Sequence, residues 1–212
     1  THDPVRAQAL AARLCGQNKL RQNEENQILT QALVRLRKEY NPLEDKIIVM
    51  AGKGWHHGVI GIVCSRLCDR YGCPVVLISI DEDGTGKGSG RSVKGFNLFE
   101  ALSSCSDLLE RYGGHELAAG LTVSADRVDE LRARLRAYAE EHVSMAELVP
   151  QQNIDCMVRP EWLTMANIEA LSVLEPYGMR NPEPVFCMKD MTVEDITPIS
   201  SDRHVRLTLL KD

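Results

Sequence analysis

The sequence of 212 residues predicts an α/β protein in which a long N-terminal helix precedes a mixed-sheet domain and a smaller β-rich unit. Three observations predict this class: apolar side chains at helical spacing open the chain, two buried strands flank an amphipathic helix, and short apolar runs follow a polar linker. The predicted boundaries are 1–44 for the connecting helix, 45–143 for the mixed-sheet domain, 144–153 for the linker and 154–212 for the last unit.

The leading helix is predicted from Pro4 to about Tyr40, either as one helix or as two with a break near Gly16. Its composition is rich in the strong helix formers Ala, Leu, Gln, Glu and Arg. Asn41 followed by Pro42 ends the pattern, because the residue before a proline disfavours the helical conformation. The apolar positions at helical spacing are Leu10, Leu14, Ile28, Leu29, Ala32, Leu33 and Leu36.

A β-α-β unit follows the leading helix. Residues 47–50 and 75–80 are short apolar runs typical of buried strands, and residues 58–70 predict the helix between them. Because a helix connects the two strands, they are predicted to be parallel. The acidic turn at 81–84 then reverses the chain, so that 88–92 should form a third strand antiparallel to the second.

The rest of the domain is predicted as a helix, a strand and a second helix. The pair Asn97 and Glu100 resembles a capping box and predicts a helix that runs to about Tyr112. Gly113 and Gly114 would then end that helix. The remaining elements are a strand at about 118–123, a helix at about 126–142 and, after the linker, strands near 154–158, 185–188, 191–196 and 204–210 with a helix at about 160–171.

Composition indicates an ordinary globular protein, with 43% hydrophobic and 26% charged residues. The apolar runs are too short to span a bilayer and no leader peptide opens the chain, so a cytoplasmic location without membrane association is expected. The 7 cysteines do not form a paired framework. Cys64, Cys68 and Cys73 are interpreted as buried small apolar side chains rather than as metal ligands.

The net charge of −5 by itself disfavours broad electrostatic binding of nucleic acid. Its distribution is uneven, since residues 1–100 carry 14 Lys and Arg against 11 Asp and Glu, whereas residues 101–212 carry 11 against 19. A local basic groove is compatible with this balance. Strong sequence-independent affinity for nucleic acid is not expected from these residues alone.

Two glycine-rich stretches, 88–92 and 113–120, are suited to holding phosphate. Glycines let backbone N–H groups approach an anion, a hydroxyl adds a donor, and a guanidinium matches phosphate bidentately. Ser89 and Arg91 are two residues apart in a predicted strand, so their side chains share one face. Taken alone, each stretch is also typical of a hairpin loop or a helix cap, and 86–88 does not match a P-loop.

The order of the motifs WHHGVIGIV (55–63), GSGRS (88–92) and GGHELAAG (113–120) resembles that of DHHA1 domains. Within that superfamily the sequence is most similar to the RecJ family of single-strand-specific 5′→3′ DNA exonucleases. The segment NKLRQ (18–22) also resembles the RecJ pattern. The segment LEPYGMRNPEPVF (174–186) resembles the entry to the RecJ oligonucleotide-binding (OB) domain. The resemblance covers nearly all of the chain.

The resemblance implies a C-terminal part of such an exonuclease. RecJ enzymes hold divalent metals on an N-terminal domain named for an Asp-His-His run, which does not occur in this sequence. Mn²⁺ or Mg²⁺ is therefore expected in the full-length enzyme, with no metal, no catalytic residue and no nuclease activity in these residues alone. Residues 154–212 would be a partial OB-like domain, because a complete barrel needs five strands.

The resemblance also implies roles for individual residues. In RecJ-like enzymes the residues that match Ser89 and Arg91 help to hold the terminal 5′-phosphate, which fixes polarity. Arg21 would add a second guanidinium, and His115 after Gly114 would contact the substrate near the scissile bond. Further candidates for strand contacts are Trp55, His56 and Arg180.

Several of these residues have a structural alternative. Arg21 could be a solvated surface arginine, Trp55 could close the core, and His115 could cap a helix and bond a backbone carbonyl.

The expected ligand is single-stranded DNA, in DNA repair and recombination, and the protein is expected to be a monomer. Single-strand-binding protein and a helicase are candidate partners. Two other functions stay open: a smaller DHH/DHHA1 enzyme that degrades oligoribonucleotides or cyclic dinucleotides, and a nuclease-dead DNA-binding adaptor. Residues 154–212 argue against the smaller enzyme, because those relatives usually end after the first domain.

Overall fold

The structure, a computed structural model, describes residues 3–41, 44–144, 148, 152–199 and 204–211. The chain divides into two compact units, with unit 1 spanning Thr1–Pro150 and unit 2 spanning Gln151–Asp212.

Unit 1 opens with one uninterrupted helix, α1 (Pro4–Glu39), which confirms the first of the two predicted alternatives. No break occurs at Gly16, whose surroundings are open. The first half of α1 is exposed, and Leu10 and Leu14 remain 46% and 69% accessible. Burial is confined to the second half, where the core-facing apolar residues are Ile28, Ala32 and Leu36.

A five-stranded mixed sheet of order β1-β2-β3-β5-β4 forms the centre of unit 1. The first two strands are parallel, and every other pairing is antiparallel, as the sequence predicts for the first three strands. The strands are β1 (Ile48–Lys53), β2 (Val75–Ile80), β3 (Thr85–Arg91), β4 (Leu109–His115) and β5 (Ala118–Ser124).

Helices pack on both faces of this sheet. The three helices are α2 (His57–Tyr71), α3 (Leu98–Ser103) and α4 (Val128–His142). α2 covers one face and lies against β3 at Gly61. α3 covers the other face, where Leu98 Cδ2 lies 2.7 Å from the position of a Cβ on Gly90. Tyr138 of α4 packs edge-on against Phe96, just before α3.

The helix predicted from Asn97 to about Tyr112 is wrong over its second half. Its start is confirmed, since Asn97 Oδ1 accepts the N–H of Glu100 at 3.2 Å, but α3 ends at Ser103. The hydroxyls of Ser103 and of the serine after it donate to carbonyls of the preceding turn, a local bonding that competes with helix propagation. The chain then enters β4 and pairs with β5, so Gly113 and Gly114 lie in a strand and not at a helix end.

The three central cysteines are buried, which confirms their interpretation as apolar side chains. Burial raises the pKa of the Cys64 and Cys68 thiols to about 12 and that of Cys73 to about 11. All three therefore stay protonated near neutral pH, and a thiol in that state is a poor metal ligand.

Unit 2 contains two small sheets and a short helix, α5 (Met165–Ala170). The helix predicted at 160–171 is interrupted: a 3₁₀ turn at Pro160–Trp162 precedes α5, which starts where Thr164 Oγ1 accepts the N–H of Asn167. No closed barrel occurs in the part of unit 2 that the structure describes. The strands are β6 (Cys156–Met157), parallel to β7 (Phe186–Cys187), and β8 (Thr192–Ile199), antiparallel to β9 (His204–Leu210).

Among the described helices, none combines the length and the apolar character that a membrane span requires.

Candidate functional site

Ser89 and Arg91 project from the same face of β3. Their cross-strand partners on β2 are Leu77 and Val75. Arg91 Nη1 lies 3.5 Å from Ser89 Oγ and donates to the carbonyl of Gly90 at 2.8 Å. No ion pair joins Arg91 to a carboxylate of the described residues. This half-buried pair therefore presents a hydroxyl and a guanidinium whose remaining N–H and O–H groups can donate hydrogen bonds to a ligand.

Gly61 of α2 borders this pair from above the sheet. A Cβ at Gly61 would lie 3.1 Å from Ser89 Oγ and 3.5 Å from Arg91 Nη2. Gly61 lies within the WHHGVIGIV motif, but its position beside the pair was not predicted from sequence. A signal was present, since a glycine inside a helix costs about 1 kcal/mol relative to alanine and calls for a packing reason.

A buried thiol of the same helix, α2, also lies against β3 at this pair. Cys64 Sγ donates to the carbonyl of Ser89 at 2.9 Å. Burial raises the pKa of Cys64 to about 12, although a backbone hydrogen bond and the positive charge of Arg91 act in the opposite direction. The thiol is therefore uncharged at neutral pH and leaves the charge of Arg91 available to a ligand.

On the face of the sheet that carries Ser89 and Arg91, α2 lies over β3, and no helix among the described residues of unit 1 packs over β5 and β4. Ala119, Leu121 and Val123 of β5 are buried on the opposite face, so the residues that alternate with them point to this one. We call it the open face. By register it comprises three rows of one residue per strand: Arg91, Ala118 and His115; Ser89, Gly120 and Gly113; Lys87, Thr122 and Arg111.

The open face is locally basic although the chain is acidic. Its charged positions are Lys87, Arg91 and Arg111, and none of its nine positions is acidic. Lys87 is paired with Asp81 at 3.1 Å. Arg111 is exposed, and the structure gives it no hydrogen bond or ion pair within the described part of the chain. Sequence analysis missed Arg111, because the segment that contains it was predicted to be helical.

His115 lies at the end of β4, in the same row as Arg91 and one strand beyond Ala118. Its Nδ1 accepts the N–H of Leu117 at 3.3 Å. The neutral ring therefore carries its proton on Nε2, which can donate to an anion because the side chain is exposed. The alternative in which His115 caps a helix is wrong, since the segment directly before it is strand β4.

Gly114 has a backbone that other residues rarely adopt, with φ of 146°. A Cβ there would lie 2.3 Å from the carbonyl oxygen of Ala118 and 2.6 Å from the Cα of Ala119. Only glycine fits this close approach of the two strands. Gly114 thus sets the position of His115 through the backbone.

Arg21 belongs to an ion cluster between α1 and α2. Its Nη1 lies 2.7 Å from Glu25 Oε2, and Asn18 Oδ1 accepts from the same guanidinium at 3.0 Å. Glu25 is buried, and its other oxygen lies 2.7 Å from Nε of Arg66 on α2. Arg21 thus lies at the surface, as the structural alternative has it, and is held there by its pairing with Glu25. Phosphate binding by Arg21 stays a prediction.

Trp55 is part of the core rather than a stacking platform. Its side chain is 5% accessible, its ring packs on Gly52, and Nε1 donates to Gln31 Oε1 at 2.7 Å. A buried ring cannot stack on a base, so the structural alternative for Trp55 is correct.

His56 and Arg180 are exposed. His56 caps α2 by accepting the N–H of Gly58 on Nδ1 at 3.1 Å, and its ring stacks on that of His57. Arg180 lies in unit 2, in a turn closed by paired hydrogen bonds between Gly178 and Asn181. The structure thus places Ser89, Arg91 and His115 on one face and leaves the strand contacts of His56 and Arg180 as predictions.

The fold matches solved structures. A crystal structure of RecJ from Thermus thermophilus in complex with Mg²⁺ matches with a TM-score of 0.80 and 34% identity, over 99% of this chain and 32% of that one. The complex with Mn²⁺ matches with a TM-score of 0.82 and 34% identity, over 99% of this chain and 30% of that one. No three His, Cys, Asp or Glu side chains of the described ranges are grouped to hold a metal ion, so such ions do not fit the residues present here.

Sequence comparison agrees with the fold. The single-stranded-DNA-specific exonuclease RecJ of Bacillus subtilis is 38% identical over 211 residues, which are 99% of this chain and 27% of the relative. The chain thus spans less than a third of that protein. Residues 44–141 match the DHHA1 domain, and residues 154–212 match the RecJ OB domain. The chain belongs to the RecJ family and carries a DHHA1 domain and an OB domain of that family.

Proposed function

We propose that unit 1 binds the 5′-phosphorylated end of single-stranded DNA, with Ser89 and Arg91 on the terminal phosphate. The strand would be held in this way for metal-dependent phosphodiester hydrolysis by a catalytic domain that this chain does not contain. The observation that carries the proposal is the Ser89–Arg91 pair, which has no carboxylate partner in the described chain and lies beside Gly61, where the absence of a side chain leaves both polar groups uncovered by a Cβ.

The chemistry of the pair favours a terminal phosphate over an internal one. A phosphate monoester carries close to two negative charges at neutral pH and has three acceptor oxygens. Arg91 offers several donors in a planar fork, and Ser89 adds a hydroxyl on the same side. An internal phosphodiester carries one charge, and its neighbouring sugars would need to pass between β3 and Gly61.

The remaining candidates are arranged around this end. His115 shares a row with Arg91 and presents Nε2, so we assign it a contact to a neighbouring phosphate oxygen. We keep Arg21 as a candidate second guanidinium, which would have to exchange Glu25 for phosphate. Specificity for the 5′ end would then arise in unit 1, whereas the reaction itself takes place elsewhere.

Single-stranded DNA is the proposed ligand, since the names of the relatives specify that substrate for them. The match of residues 154–212 to the RecJ OB domain supports the exonuclease over a smaller oligoribonuclease. For the whole protein we propose single-strand-binding protein and a helicase as partners in DNA repair and recombination.

The 212 residues alone are expected to lack nuclease activity. The described residues offer no carboxylate and histidine cluster that could bind the ions which activate water in such reactions. The assay is incubation of 5′-labelled single-stranded DNA with purified protein and Mn²⁺ or Mg²⁺. Metal-dependent release of 5′ nucleotides that copurifies with the protein would contradict this expectation.

The substitution Arg91→Ala is expected to weaken binding of 5′-phosphorylated oligonucleotides about ten- to a hundred-fold, because a charge-assisted contact typically contributes about 1.5–3 kcal/mol. Binding of the same strand with a 5′-hydroxyl should change much less. The measurement is fluorescence anisotropy of 3′-labelled oligo(dT) at low salt, where phosphate contacts are least screened.

The matched control is Arg127→Ala. Arg127 is half-buried like Arg91, precedes α4 in the helical layer on the opposite face of the sheet, and forms a surface ion pair with Glu130. It should leave both affinities unchanged. An equal loss on the two strand ends with Arg91→Ala, at unchanged melting temperature, would show that Arg91 does not distinguish the terminal phosphate.

A further inference from the structure

Arg111 is a charged residue of the open face that lies outside the Ser89–Arg91 pair. It is exposed on the edge strand β4, and no carboxylate of the described chain pairs with it. Its neighbour Tyr112 packs against Phe99 of α3 on the opposite face, which directs Arg111 to the open face. A solvent-facing guanidinium without an anionic partner is suited to binding an anion from outside the chain.

Two other polar side chains stand in the same row. Thr122 of β5 pairs directly with Arg111 on one side and with Lys87 of β3 on the other. The row therefore contains a hydroxyl between two cations, and all three can donate to phosphate oxygens. Lys87 is shared with Asp81, so Arg111 supplies the positive charge that is not already paired.

This row is separate from the Ser89–Arg91 pair. Along β3, Lys87 and Arg91 are four residues apart, which corresponds to about 13 Å in a strand. Along β4, four residues likewise separate Arg111 from His115. Successive phosphates of one strand rise by about 3.4 Å in duplex DNA and lie further apart in an extended strand. One phosphate cannot bridge the two rows, so they would bind different phosphates of one strand.

We propose that Arg111, with Thr122 and Lys87, binds an internal phosphate of the single strand whose 5′ end lies at Ser89 and Arg91. The strand crosses the open face between them, over the row that contains Gly120 and Gly113. This inference rests on the proposed function for the placement of the 5′ end. The contact at Arg111 does not depend on what occupies that end.

The two phosphate contacts differ in the ligand that each one requires. Arg91 reads a terminal group, whereas Arg111 requires a strand long enough to cross the face, about two to four nucleotides from the end. Loss of Arg111 should therefore act equally on phosphorylated and unphosphorylated ends. It should have no effect on thymidine 5′-monophosphate, which has no second phosphate.

The experiment compares Arg111→Ala, Arg111→Lys and the control Arg127→Ala, each checked for an unchanged melting temperature. Anisotropy gives the Kd of octameric oligo(dT) with a 5′-phosphate or a 5′-hydroxyl over a range of salt concentrations. NMR titration gives the Kd of thymidine 5′-monophosphate.

Arg111→Ala is expected to weaken binding of both octamers by the same factor, about five- to ten-fold, and to reduce the slope of log Kd against log salt by about 0.7. Arg111→Lys should largely retain the slope, since it keeps the charge. The affinity for thymidine 5′-monophosphate should not change.

Two results would overturn the proposal: octamer affinities and salt slope that do not respond to Arg111→Ala, or a loss confined to phosphorylated ends and shared by the mononucleotide. Failure of the proposed function gives a different pattern. In that case Arg91→Ala would affect both strand ends equally, while Arg111→Ala would still weaken both octamers.

Discussion

The substitution Gly61→Leu is expected to abolish the preference for a 5′-phosphate while the protein stays folded. The first carbon of the new side chain would lie 3.1 Å from Ser89 Oγ and 3.5 Å from Arg91 Nη2, and its branches would occupy the space beside them. Binding of phosphorylated strands should fall about ten- to a hundred-fold, the same range that is expected for Arg91→Ala. Leucine favours a helix over glycine by about 0.5–1 kcal/mol, which offsets part of the crowding.

Gly16→Leu is the matched control, because Gly16 also lies inside a helix and has no atom within 4 Å of a Cβ position. It should leave the affinity unchanged. Gly61→Ala should give an intermediate loss. Anisotropy with phosphorylated and unphosphorylated oligo(dT) measures both substitutions, and thermal unfolding verifies the fold. If Gly61→Leu binds phosphorylated strands as tightly as the wild type, the space beside Ser89 and Arg91 does not hold the phosphate.

The substitution Gly114→Ala is expected to lower the free energy of unfolding by about 2–4 kcal/mol. A φ of 146° is strained for any residue with a Cβ, which typically costs about 1–3 kcal/mol. The added carbon would also lie 2.3 Å from the carbonyl of Ala118, so the hairpin of β4 and β5 would have to open. For a chain of this size the melting temperature should fall by about 4–16 °C.

Gly113→Ala tests whether this loss is specific to one glycine. A Cβ at Gly113 meets no atom within 4 Å, and alanine weakens a strand less than glycine does. Its melting temperature should match or slightly exceed that of the wild type, as followed by circular dichroism. Equal losses at the two positions would contradict the assignment of the backbone strain to Gly114.

The elements with clear periodicity were predictable from sequence. Two apolar runs joined by an amphipathic helix predicted the parallel pair β1 and β2, and the acidic turn predicted the antiparallel β3. The segment before Gly113 was not predictable in the same way. Its capping signal at Asn97 is real, but the helix stops after six residues because the edge strand gains a ladder with β5. Pairing with the strand that follows decided its structure, and the helical capping signal at Asn97 could not show that.

The candidate site was predictable where it depended on strand geometry. Ser89 and Arg91 share a face because side chains alternate along β3. The roles of Gly61 and Arg111 could not be predicted from sequence. Gly61 adjoins the pair only because α2 packs on the sheet, and Arg111 reaches the open face only because its segment is a strand. Tertiary packing likewise decided between the two alternatives for Trp55.

The charge of the open face likewise could not be predicted from composition. An excess of acidic residues describes the whole chain, whereas a ligand meets the side chains of one surface. The register of β3, β5 and β4 collects Lys87, Arg91 and Arg111 on a face that has no acidic position. Which charges share a surface follows from strand pairing, and that information is absent from composition.

In the proposed site, Ser89 and Arg91 hold a terminal 5′-phosphate beside Gly61. The most direct test is an NMR titration of ¹⁵N-labelled protein with a short oligo(dT) that carries either a 5′-phosphate or a 5′-hydroxyl. We expect the difference between the two spectra to concentrate at the amides of Gly61, Ser89 and Arg91 and at the Arg91 side chain. Identical perturbations by the two ligands, or a difference confined to unit 2, would contradict it.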